Sequence, residues 1–161
     1  MLLIKIRDYD YNNDWPSLEM ILRTTKSTGS DIIEQERKLT NFLSSLGLGR
    51  VLVAVNAENN EICGYVAIRF KGAAGYIESI VVDPKSYRQR VGTELMDFIK
   101  KLTQMESDLQ VLRTICPENN QGALKFLLEN GFQICGFVKH DTSFYEHNTH
   151  LFYPLIDTSY A

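Results

Sequence analysis

The stretch YIESIVVDPKSYRQRVGTELMDFIKKL, residues 76–102, predicts a buried strand, a short basic loop and an amphipathic helix, in that order. The strand covers residues 76–82, where β-branched side chains dominate. Asp83-Pro84 ends it, because proline has no N–H to donate to a ladder. The helix after the loop is indicated by apolar residues at helical spacing, namely Leu95, Phe98, Ile99, Leu102 and Met105.

The loop between this strand and this helix has the composition of an anion-binding site. Arg88 and Arg90 stand directly before the helix. The unpaired N–H groups and the positive dipole end of a helix N-terminus favour a phosphate, and guanidinium groups add charge-assisted hydrogen bonds. A solvated basic turn is the alternative interpretation, and the strand-proline-loop-helix context favours the anion site.

The composition of the whole chain limits the class of partner. The 161 residues carry a formal net charge of −3, with 44% hydrophobic and 23% charged residues. These values are typical of a soluble globular protein, and a single domain spanning residues 1–161 is expected. A slightly acidic chain argues against nucleic acid as a partner, since phosphate backbones attract an excess of Lys and Arg. The two loop arginines therefore predict a small anionic ligand.

Cysteine spacing and the lengths of the apolar runs predict a cytoplasmic protein with no membrane partner. Cys63, Cys116 and Cys135 are widely spaced, with no Cys-x-x-Cys pair and no histidine at metal-ligand spacing, so we expect free thiols and no metal. The longest apolar runs are far shorter than the roughly 20 residues of a membrane span. The N-terminal MLLIKIRDYD alternates like a strand, and its apolar part is too short for a signal sequence.

The order of predicted elements, β-α-α-β-β-β-α-β-α-β-β, indicates an α+β (mixed α/β) fold with about four helices and a mixed sheet of about seven strands. Break signals follow two strands, at Val82-Asp83-Pro84 and at Ile115-Cys116-Pro117. Adjacent strands that part at such points leave a cleft, where ligands of open sheets tend to bind. The predicted strands are residues 2–9, 51–57, 62–70, 76–82, 111–115, 132–140 and 151–156, and the predicted helices include residues 32–46, residues 122–129 and a first helix that ends near Thr28.

Two motifs stand in a fixed order along the chain. The first is the strand end Ile80-Val81-Val82-Asp83-Pro84, followed by Tyr87 to Gly92 and a helix. The second is Asn120-x-x-Ala123, followed by a helix that ends at Gly131-Phe132. Together they resemble the GNAT superfamily of N-acetyltransferases, whose signature is a strand with apolar-x-Val-x-Pro, then [Gln/Arg]-x-x-Gly-x-[Gly/Ala] and a helix. The resemblance implies a GNAT-like central sheet, mixed and mostly antiparallel, with flanking helices and a splay at the two central strands.

The resemblance implies acetyl-CoA as a co-substrate. Its pyrophosphate would be held by the N–H groups of Arg88 to Thr93, and its pantetheine arm would bind the end of the strand as an added strand does. Asn120 is expected either to donate to this arm or to cap the following helix. The implied coenzyme-binding residues are Ile80, Val81, Val82, Tyr87, Arg88, Gln89, Arg90, Val91, Gly92, Thr93 and Asn120.

The sequence departs from the family pattern at three positions. Tyr87 stands where Gln or Arg is usual, and Arg90 stands where the first glycine is usual. Leu127 occupies the position of a tyrosine that is the presumed general acid in many members, and leucine has no proton to donate. Other side chains able to donate protons are Tyr76, Tyr145 and His140, although most side chains of this kind simply pack.

Glu78 is the candidate catalytic base. It lies in an otherwise apolar strand, and some GNAT members carry their base on this strand. An amine must lose a proton before it attacks a thioester, and a carboxylate can take that proton directly or through water. A solvent-facing strand carboxylate is the alternative interpretation. Cys116 is interpreted as a small buried residue rather than a nucleophile, since no histidine stands in an activating pattern.

The sequence therefore predicts an acetyl-CoA-dependent N-acetyltransferase that acts by direct attack of an amine in a ternary complex. The alternative is an acyl-CoA-binding regulatory module with little or no catalysis. The acceptor stays open among a peptide N-terminus, a lysine side chain, a polyamine and another small-molecule amine. Its pocket is expected to involve the loops 24–31 and 141–150. The sequence neither indicates nor excludes a homodimer.

Overall fold

The computed structural model describes residues 1–25, 29–106, 108–142, 146–157 and 159 of the chain. Its helices are α1 (Trp15–Thr24), α2 (Ser30–Leu46), α3 (Val91–Gln104) and α4 (Gln121–Glu129), with a 3-10 turn at Pro84–Ser86. Its strands are β1 (Ile4–Asp8), β2 (Gly49–Asn56), β3 (Ile62–Lys71), β4 (Ala74–Val82), β5 (Val111–Pro117), β6 (Gln133–Val138) and β7 (Asn148–Pro154). The predicted order of elements is confirmed.

The seven strands are hydrogen-bonded in the order β1-β2-β3-β4-β5-β7-β6. β4 and β5 are parallel, whereas β1–β2, β2–β3, β5–β7 and β6–β7 are antiparallel. The predicted α+β fold with a mixed, mostly antiparallel sheet is thus confirmed. The β4–β5 register runs from the pair Ala74–Val111 to the pair Ile77–Thr114, and the described part of the chain has no pair between these strands beyond it. The predicted splay of the two central strands is confirmed at this point.

The chain divides into two compact units that are each described by themselves. The first unit consists of Met1–Arg69 together with Glu78–Ile99, and the second consists of Phe70–Ile77 together with residues 100–161. β4 therefore contributes its first half to the second unit and its second half to the first. The expectation of one domain over residues 1–161 stays a prediction.

The core of the first unit joins α1 and α2 to one face of β2 and β3. A fully buried tyrosine, Tyr65, donates its hydroxyl proton to the Glu36 carboxylate of α2 at 2.8 Å. Burial raises the pKa of Tyr65, and the adjacent carboxylate raises it further, so the phenol stays neutral and keeps this link. The apolar side chains of this core are Tyr9, Trp15, Leu18, Leu22, Ile33, Leu43, Val51, Val53, Val55, Tyr65 and Ala67.

The second unit is organised around β7, which pairs with β5 on one side and β6 on the other. α4 ends at Glu129, and Gly131 follows with a φ of 86°, the left-handed conformation that commonly terminates a helix. The Phe132 ring that follows lies 5.6 Å from the Tyr153 ring of β7, between ring centroids. The Lys100 ammonium lies 4.4 Å from the centre of the same Tyr153 ring. Tyr153 therefore joins the end of α4 and the end of α3 to the sheet of this unit.

The structure differs from the sequence prediction mainly at the ends of elements. α1 ends at Thr24 rather than near Thr28, and residues 26–28 lie outside the described residues. β5 continues past the predicted break to Pro117, because β7 pairs with it up to that residue. Met105 lies beyond the end of α3 with 86% of its surface exposed, so it does not belong to the apolar face of that helix.

We predict that Gly64→Ala lowers the free energy of unfolding by about 1–3 kcal/mol, as overpacking of a core does. A Cβ at Gly64 would lie 2.8 Å from the Val81 carbonyl oxygen and 3.1 Å from a Val91 methyl group, and the backbone atom cannot move aside cheaply. Urea denaturation followed by circular dichroism measures the change.

The control for this substitution is Gly122→Ala in α4, where the added Cβ meets no atom closer than 4.0 Å. Alanine favours a helix over glycine, so this variant should be as stable as the parent or more stable. Equal stability of Gly64→Ala and the parent would contradict the close approach of α3 to β3.

Candidate functional site

Asp83 fixes the turn from β4 into α3. Its N–H donates to the Cys63 carbonyl oxygen of β3 at 2.8 Å, and its own carbonyl accepts from the Ser86 N–H at 2.8 Å. Its carboxylate accepts from the Lys85 N–H at 3.1 Å. Pro84 begins the 3-10 turn, where a missing N–H costs no hydrogen bond. The chain therefore leaves the sheet at a defined point, and the whole turn lies within the first unit.

Both arginines of the loop have a left-handed backbone. φ is 64° at Arg88 and 66° at Arg90. This conformation costs a residue with a side chain about 1–2 kcal/mol relative to the right-handed one, whereas glycine adopts it freely. Arg90 occupies the position where the resembled signature has glycine. The loop therefore keeps a backbone geometry suited to glycine although the residue is arginine.

α3 begins directly after Arg90. The Arg90 carbonyl oxygen accepts the first helical hydrogen bond, from the Glu94 N–H at 2.9 Å. The N–H groups of Val91, Gly92 and Thr93 therefore have no acceptor inside the helix. The Val91 side chain is 1% exposed, which anchors the helix start in the core.

The surroundings of this helix start are positively charged. The side chains of Lys85, Arg88 and Arg90 are exposed beside it, while Glu94 adds one carboxylate in the first turn. N–H groups at the positive end of a helix dipole, with guanidinium groups next to them, can bind a phosphate group. The residues present thus fit the pyrophosphate of coenzyme A.

The end of β4 carries the other residues of the predicted coenzyme site. Ile80, Val81 and Val82 are half-buried, and they lie beyond the last β4–β5 pair at Ile77. Tyr87 is 54% exposed at the start of the loop. The structure thus brings the predicted residues from Ile80 to Thr93 together in the first unit.

Asn120, the remaining predicted coenzyme residue, lies in the second unit. Its side-chain oxygen accepts from the Ala123 N–H at 3.1 Å, which caps α4. The capping interpretation of Asn120 is confirmed. Its contact with the coenzyme stays a prediction.

Glu78 forms an ion pair with Arg69 of β3. The distance between the Arg69 Nε and a Glu78 carboxylate oxygen is 2.7 Å, and their side chains are 35% and 30% exposed. Glu78 is therefore held at a defined position in partial contact with water, rather than buried among apolar residues. Sequence reasoning missed Arg69. With β3 ending at Lys71 and β4 beginning at Ala74, Glu78 lies two residues beyond the position opposite Arg69, so the two are diagonal neighbours across the strands.

Two further residues singled out from the sequence lie in the second unit. They are Leu127, at the usual position of the general acid, and Cys116, the predicted buried thiol. Leu127 is 4% exposed, so it is a core residue of α4 without a proton to donate. Cys116 is 2% exposed, and burial raises the pKa of its thiol. A buried thiol of raised pKa forms little thiolate, which confirms the interpretation of Cys116 as a structural residue.

The sequence analysis also named Tyr76, Tyr145 and His140 as possible proton donors, and they lie in three different segments of the chain. Tyr76 is half-buried on β4. His140 follows the end of β6 with a φ of 54°. Tyr145 lies outside the described residues. None of these positions by itself identifies a general acid.

The described ranges contain neither a cluster of metal ligands nor a membrane-spanning helix. No group of three or more His, Cys, Asp or Glu side chains in the described part of the chain is placed to hold a metal ion. No described helix combines the length and the apolar character needed to cross a bilayer. All three cysteines are free thiols.

A cleft of about 450 Å³ lies in the first unit between α1, the β2–β3 turn and the end of β4. Its lining includes a bidentate ion pair, in which Arg7 donates to the two Asp14 oxygens at 2.7 and 3.0 Å. The hydrogen bond to Asp14 raises the pKa of Arg7, so the guanidinium stays protonated. The lining residues are Arg7, Asp14, Pro16, Ser17, Met20, Ile21, Thr24, Asn60, Glu61, Ile62, Asp83 and Lys85.

Comparison with protein families gives a match over most of the chain. The family model described as acetyltransferase (GNAT) family matches residues 14–132. This range contains the β4–α3 turn and extends through α4. No curated protein shows significant sequence similarity to the chain.

Solved structures share the fold at low sequence identity. A protein from Desulfovibrio desulfuricans assigned to the GNAT family has a TM-score of 0.84 at 11% identity, over 96% of this chain and 100% of that one. The ribosomal-protein-S18-alanine N-acetyltransferase of Escherichia coli has a TM-score of 0.79 at 13% identity, over 99% of both chains. An aminoglycoside 6′-N-acetyltransferase complexed with coenzyme A has a TM-score of 0.76 at 15% identity, over 95% of this chain and 98% of that one.

We predict that Arg90→Gly raises the free energy of unfolding by up to about 1 kcal/mol, because glycine adopts a positive φ without the clash that a Cβ causes. Arg90→Val should lower it, since a β-branched side chain is the least compatible with this backbone. Urea denaturation of the ligand-free protein measures both.

Gln89→Gly is the matched control, because Gln89 lies between the two arginines and is not among the described residues with a positive φ. Glycine there only adds freedom to the unfolded chain, so this variant should be less stable than the parent. A lower stability for Arg90→Gly than for Gln89→Gly would contradict the left-handed assignment.

Proposed function

The chain belongs to the acetyltransferase (GNAT) family, and we propose that it transfers an acetyl group from acetyl-CoA to a primary amine by direct attack in a ternary complex. The observation that carries this proposal is the β4–α3 turn, where unpaired N–H groups, two exposed arginines and a strand end meet in one unit. It is supported by the structural likeness to an aminoglycoside 6′-N-acetyltransferase that was solved with coenzyme A.

The pyrophosphate of the coenzyme would bind at the start of α3. The N–H groups of the segment from Arg88 to Thr93 would donate to its oxygens, and the guanidinium groups of Arg88 and Arg90 would neutralise its charge. Gln89 and Tyr87 would contact the coenzyme from the same loop. Support comes from the exposed arginine side chains and from the absence of a helical acceptor for the first N–H groups of α3.

The pantetheine arm would lie along Ile80, Val81 and Val82. Its two amide groups can exchange hydrogen bonds with backbone groups of a strand edge, as an added strand does. Support comes from the β4–β5 ladder, which ends at Ile77 and does not include these three residues. Asn120 of the second unit is proposed as a further contact to this arm.

Glu78 is the proposed catalytic base. In its ionised form it would take a proton from the acceptor ammonium, directly or through one water, and the free amine would attack the thioester carbonyl carbon. The backbone N–H near Val81 or Val82 would stabilise the negative charge that develops on the carbonyl oxygen. Support comes from the ion pair with Arg69, which fixes the Glu78 carboxylate in position.

The departing thiolate of coenzyme A is a tolerable leaving group, so a dedicated general acid is not required by the chemistry. This agrees with a buried leucine, Leu127, at the position of the family tyrosine. The proposed mechanism therefore depends on base catalysis and on positioning rather than on proton donation to sulfur.

A second candidate function is an acyl-CoA-binding regulatory module with little or no catalysis. The buried Leu127 and the arginine at the usual glycine position favour it. An assay of thiol release from acetyl-CoA separates the two functions, using as acceptors a peptide with N-terminal alanine, a lysine peptide, an aminoglycoside and a polyamine. Turnover of any acceptor supports the transferase, whereas acetyl-CoA binding without turnover supports the module.

We predict that Glu78→Gln lowers the rate of acetyl transfer about 10- to 1000-fold near neutral pH, because the amide cannot take a proton. Titration calorimetry should give an unchanged Kd for acetyl-CoA, since the substitution alters no group proposed to bind it. The control is Glu19→Gln, which also removes a carboxylate paired with an arginine, Arg23 of α1. A wild-type rate for Glu78→Gln would remove this residue from the mechanism.

We also predict that Arg88→Gln and Arg90→Gln each weaken acetyl-CoA binding by roughly 10-fold, the effect of losing a charge-assisted hydrogen bond. The wild-type affinity should fall as salt is added, because ions screen exposed charges. Arg23→Gln on α1 is the control and should leave the Kd unchanged. An unchanged Kd in both loop variants would place the pyrophosphate elsewhere.

A further inference from the structure

The cleft of the first unit has no role in the function proposed so far. It encloses about 450 Å³, a volume within the range of small-ligand pockets. Its walls are α1, the turn between β2 and β3 and the turn that follows β4, and all of them belong to the first unit. The shape and chemistry of the cleft are therefore defined by this unit by itself.

The charged side chains of the cleft favour a cation. Arg7 and Asp14 neutralise each other through their bidentate pair. Glu61, Asp83 and Lys85 also line the cleft, and none of these three side chains has an ion-pair partner among the described residues. Two carboxylates and one ammonium group add up to a net charge of −1. A positively charged ligand is therefore attracted and a negatively charged one is repelled.

Backbone hydrogen bonds fix the segments that carry the two carboxylates. The Glu61 N–H donates to the Asn59 side-chain oxygen at 3.0 Å, and the Glu61 carbonyl oxygen accepts from the Asn56 N–H at 2.9 Å. The Asp83 N–H donates to the Cys63 carbonyl oxygen at 2.8 Å. A cation can thus bind without paying for an ordering of the backbone on either side.

The cleft also has an apolar wall, which suits a hydrocarbon chain. Met20 of α1 lines it with 65% of its surface exposed, and so does the adjacent Ile21. Ile62, at the start of β3, lines it as well and packs against the buried core of the unit. Methylene groups of a ligand gain free energy by leaving water for such a wall. The hydroxyl groups of a sugar would lose hydrogen bonds there.

The cleft is continuous with the end of β4. Asp83 lines the cleft and directly follows Val82, the last residue of the segment proposed to hold the pantetheine arm. Ile62 and Val81 both pack against the same buried core. A strand advances about 3.3 Å per residue, so the backbone of Asp83 lies only about 7 Å beyond that of Val81. A short methylene chain spans this distance.

We infer that this cleft binds the acceptor of the acetyl group, and that the acceptor is an alkyl diamine or polyamine. This inference rests on the proposed function. Glu61 and Asp83 hold one ammonium group of the acceptor. Its methylene chain contacts Met20, Ile21 and Ile62. The amine at the other end of the chain reaches the end of β4, where it reacts as proposed above.

The same chemistry separates this class from the other acceptors. An aminoglycoside presents rings with hydroxyl groups rather than a methylene chain to the apolar wall. A peptide with an N-terminal alanine has its amine on a short branched carbon. A lysine side chain has the methylene chain, but its single amine cannot both bind the carboxylates of the cleft and react at the strand end.

The inference is tested by comparing cadaverine with pentylamine at saturating acetyl-CoA, because both have a five-carbon chain and only cadaverine has a second ammonium group. In the wild type we expect a KM roughly 10-fold lower for cadaverine, the effect of a hydrogen bond to a charged group. This preference should shrink in Glu61→Gln and vanish in the double variant Glu61→Gln/Asp83→Asn. The asparagine oxygen can still accept from the Lys85 N–H, which preserves the turn.

The matched control is Glu58→Gln. It removes an exposed carboxylate from the same turn between β2 and β3, at a position that does not line the cleft. Its preference for cadaverine should equal that of the wild type. The Kd for acetyl-CoA should be unchanged in Glu58→Gln and in Glu61→Gln, since neither residue belongs to the proposed coenzyme site.

A further variant, Met20→Lys, covers the case in which the double variant fails to fold. It places a second ammonium group in the cleft from an exposed position, and titration calorimetry should show roughly 10-fold weaker cadaverine binding than in the wild type. Met105→Lys is its control, because Met105 is an exposed methionine outside the cleft, and its affinity for cadaverine should be that of the wild type.

Equal KM values for cadaverine and pentylamine in the wild type would overturn the inference. A preference that survives in both Glu61→Gln and Met20→Lys would do so too, as would turnover confined to the aminoglycoside or the peptides. These outcomes leave the proposed function standing, because the wild type then transfers acetyl groups to an amine. A wild type that binds acetyl-CoA and turns over no amine overturns the proposed function, and the inference with it.

Discussion

The structure depends on one constraint, that a β-strand cannot continue through proline at the point where β4 meets Pro84. The strand stops, and Asp83 uses its N–H, its carbonyl oxygen and its carboxylate to hold the chain in a tight turn. That turn brings the start of α3 against the core, where Val91 is nearly inaccessible and Gly64 of β3 leaves room for it. The unpaired N–H groups of the helix are thereby fixed beside the end of the strand. The proposed coenzyme site is a consequence of this geometry.

Arg90 shows that this loop can keep a backbone conformation typical of glycine with a different residue at the position. Arg88 and Arg90 both adopt a positive φ, which glycine would adopt at lower cost. A strained conformation persists only when its surroundings enforce it, and here Asp83 and Val91 hold the two ends. In exchange, the loop presents guanidinium groups that glycine lacks. Arginine in place of glycine at position 90 therefore costs conformational energy, and it adds a positive charge where a phosphate is proposed to bind.

The proposed proton transfer differs from the family pattern. Leu127 is buried and has nothing to donate, whereas two carboxylates have partners that fix them, Glu78 through Arg69 and Asp141 through His150. Each pair includes a carboxylate, is partly exposed and lies within one unit of the chain. The chemistry requires two protons to leave the nitrogen, and a thiolate leaves without assistance. A base at Glu78 without a tyrosine acid would therefore be sufficient for the proposed reaction.

The sequence by itself determined the order of elements and the fold class, and it predicted the segment from Arg88 to Thr93 as an anion site. These follow from local signals: β-branched runs, proline and glycine breaks, and apolar residues at helical spacing act within a few residues of one another. Tertiary structure alone decided the partner of Glu78, the positive φ at Arg90 and the pairing of His150 with Asp141, because each depends on strand register or on a turn closed by distant hydrogen bonds. β5 illustrates the limit, since its pairing with β7 extends the strand to Pro117, two residues beyond the end predicted at Ile115.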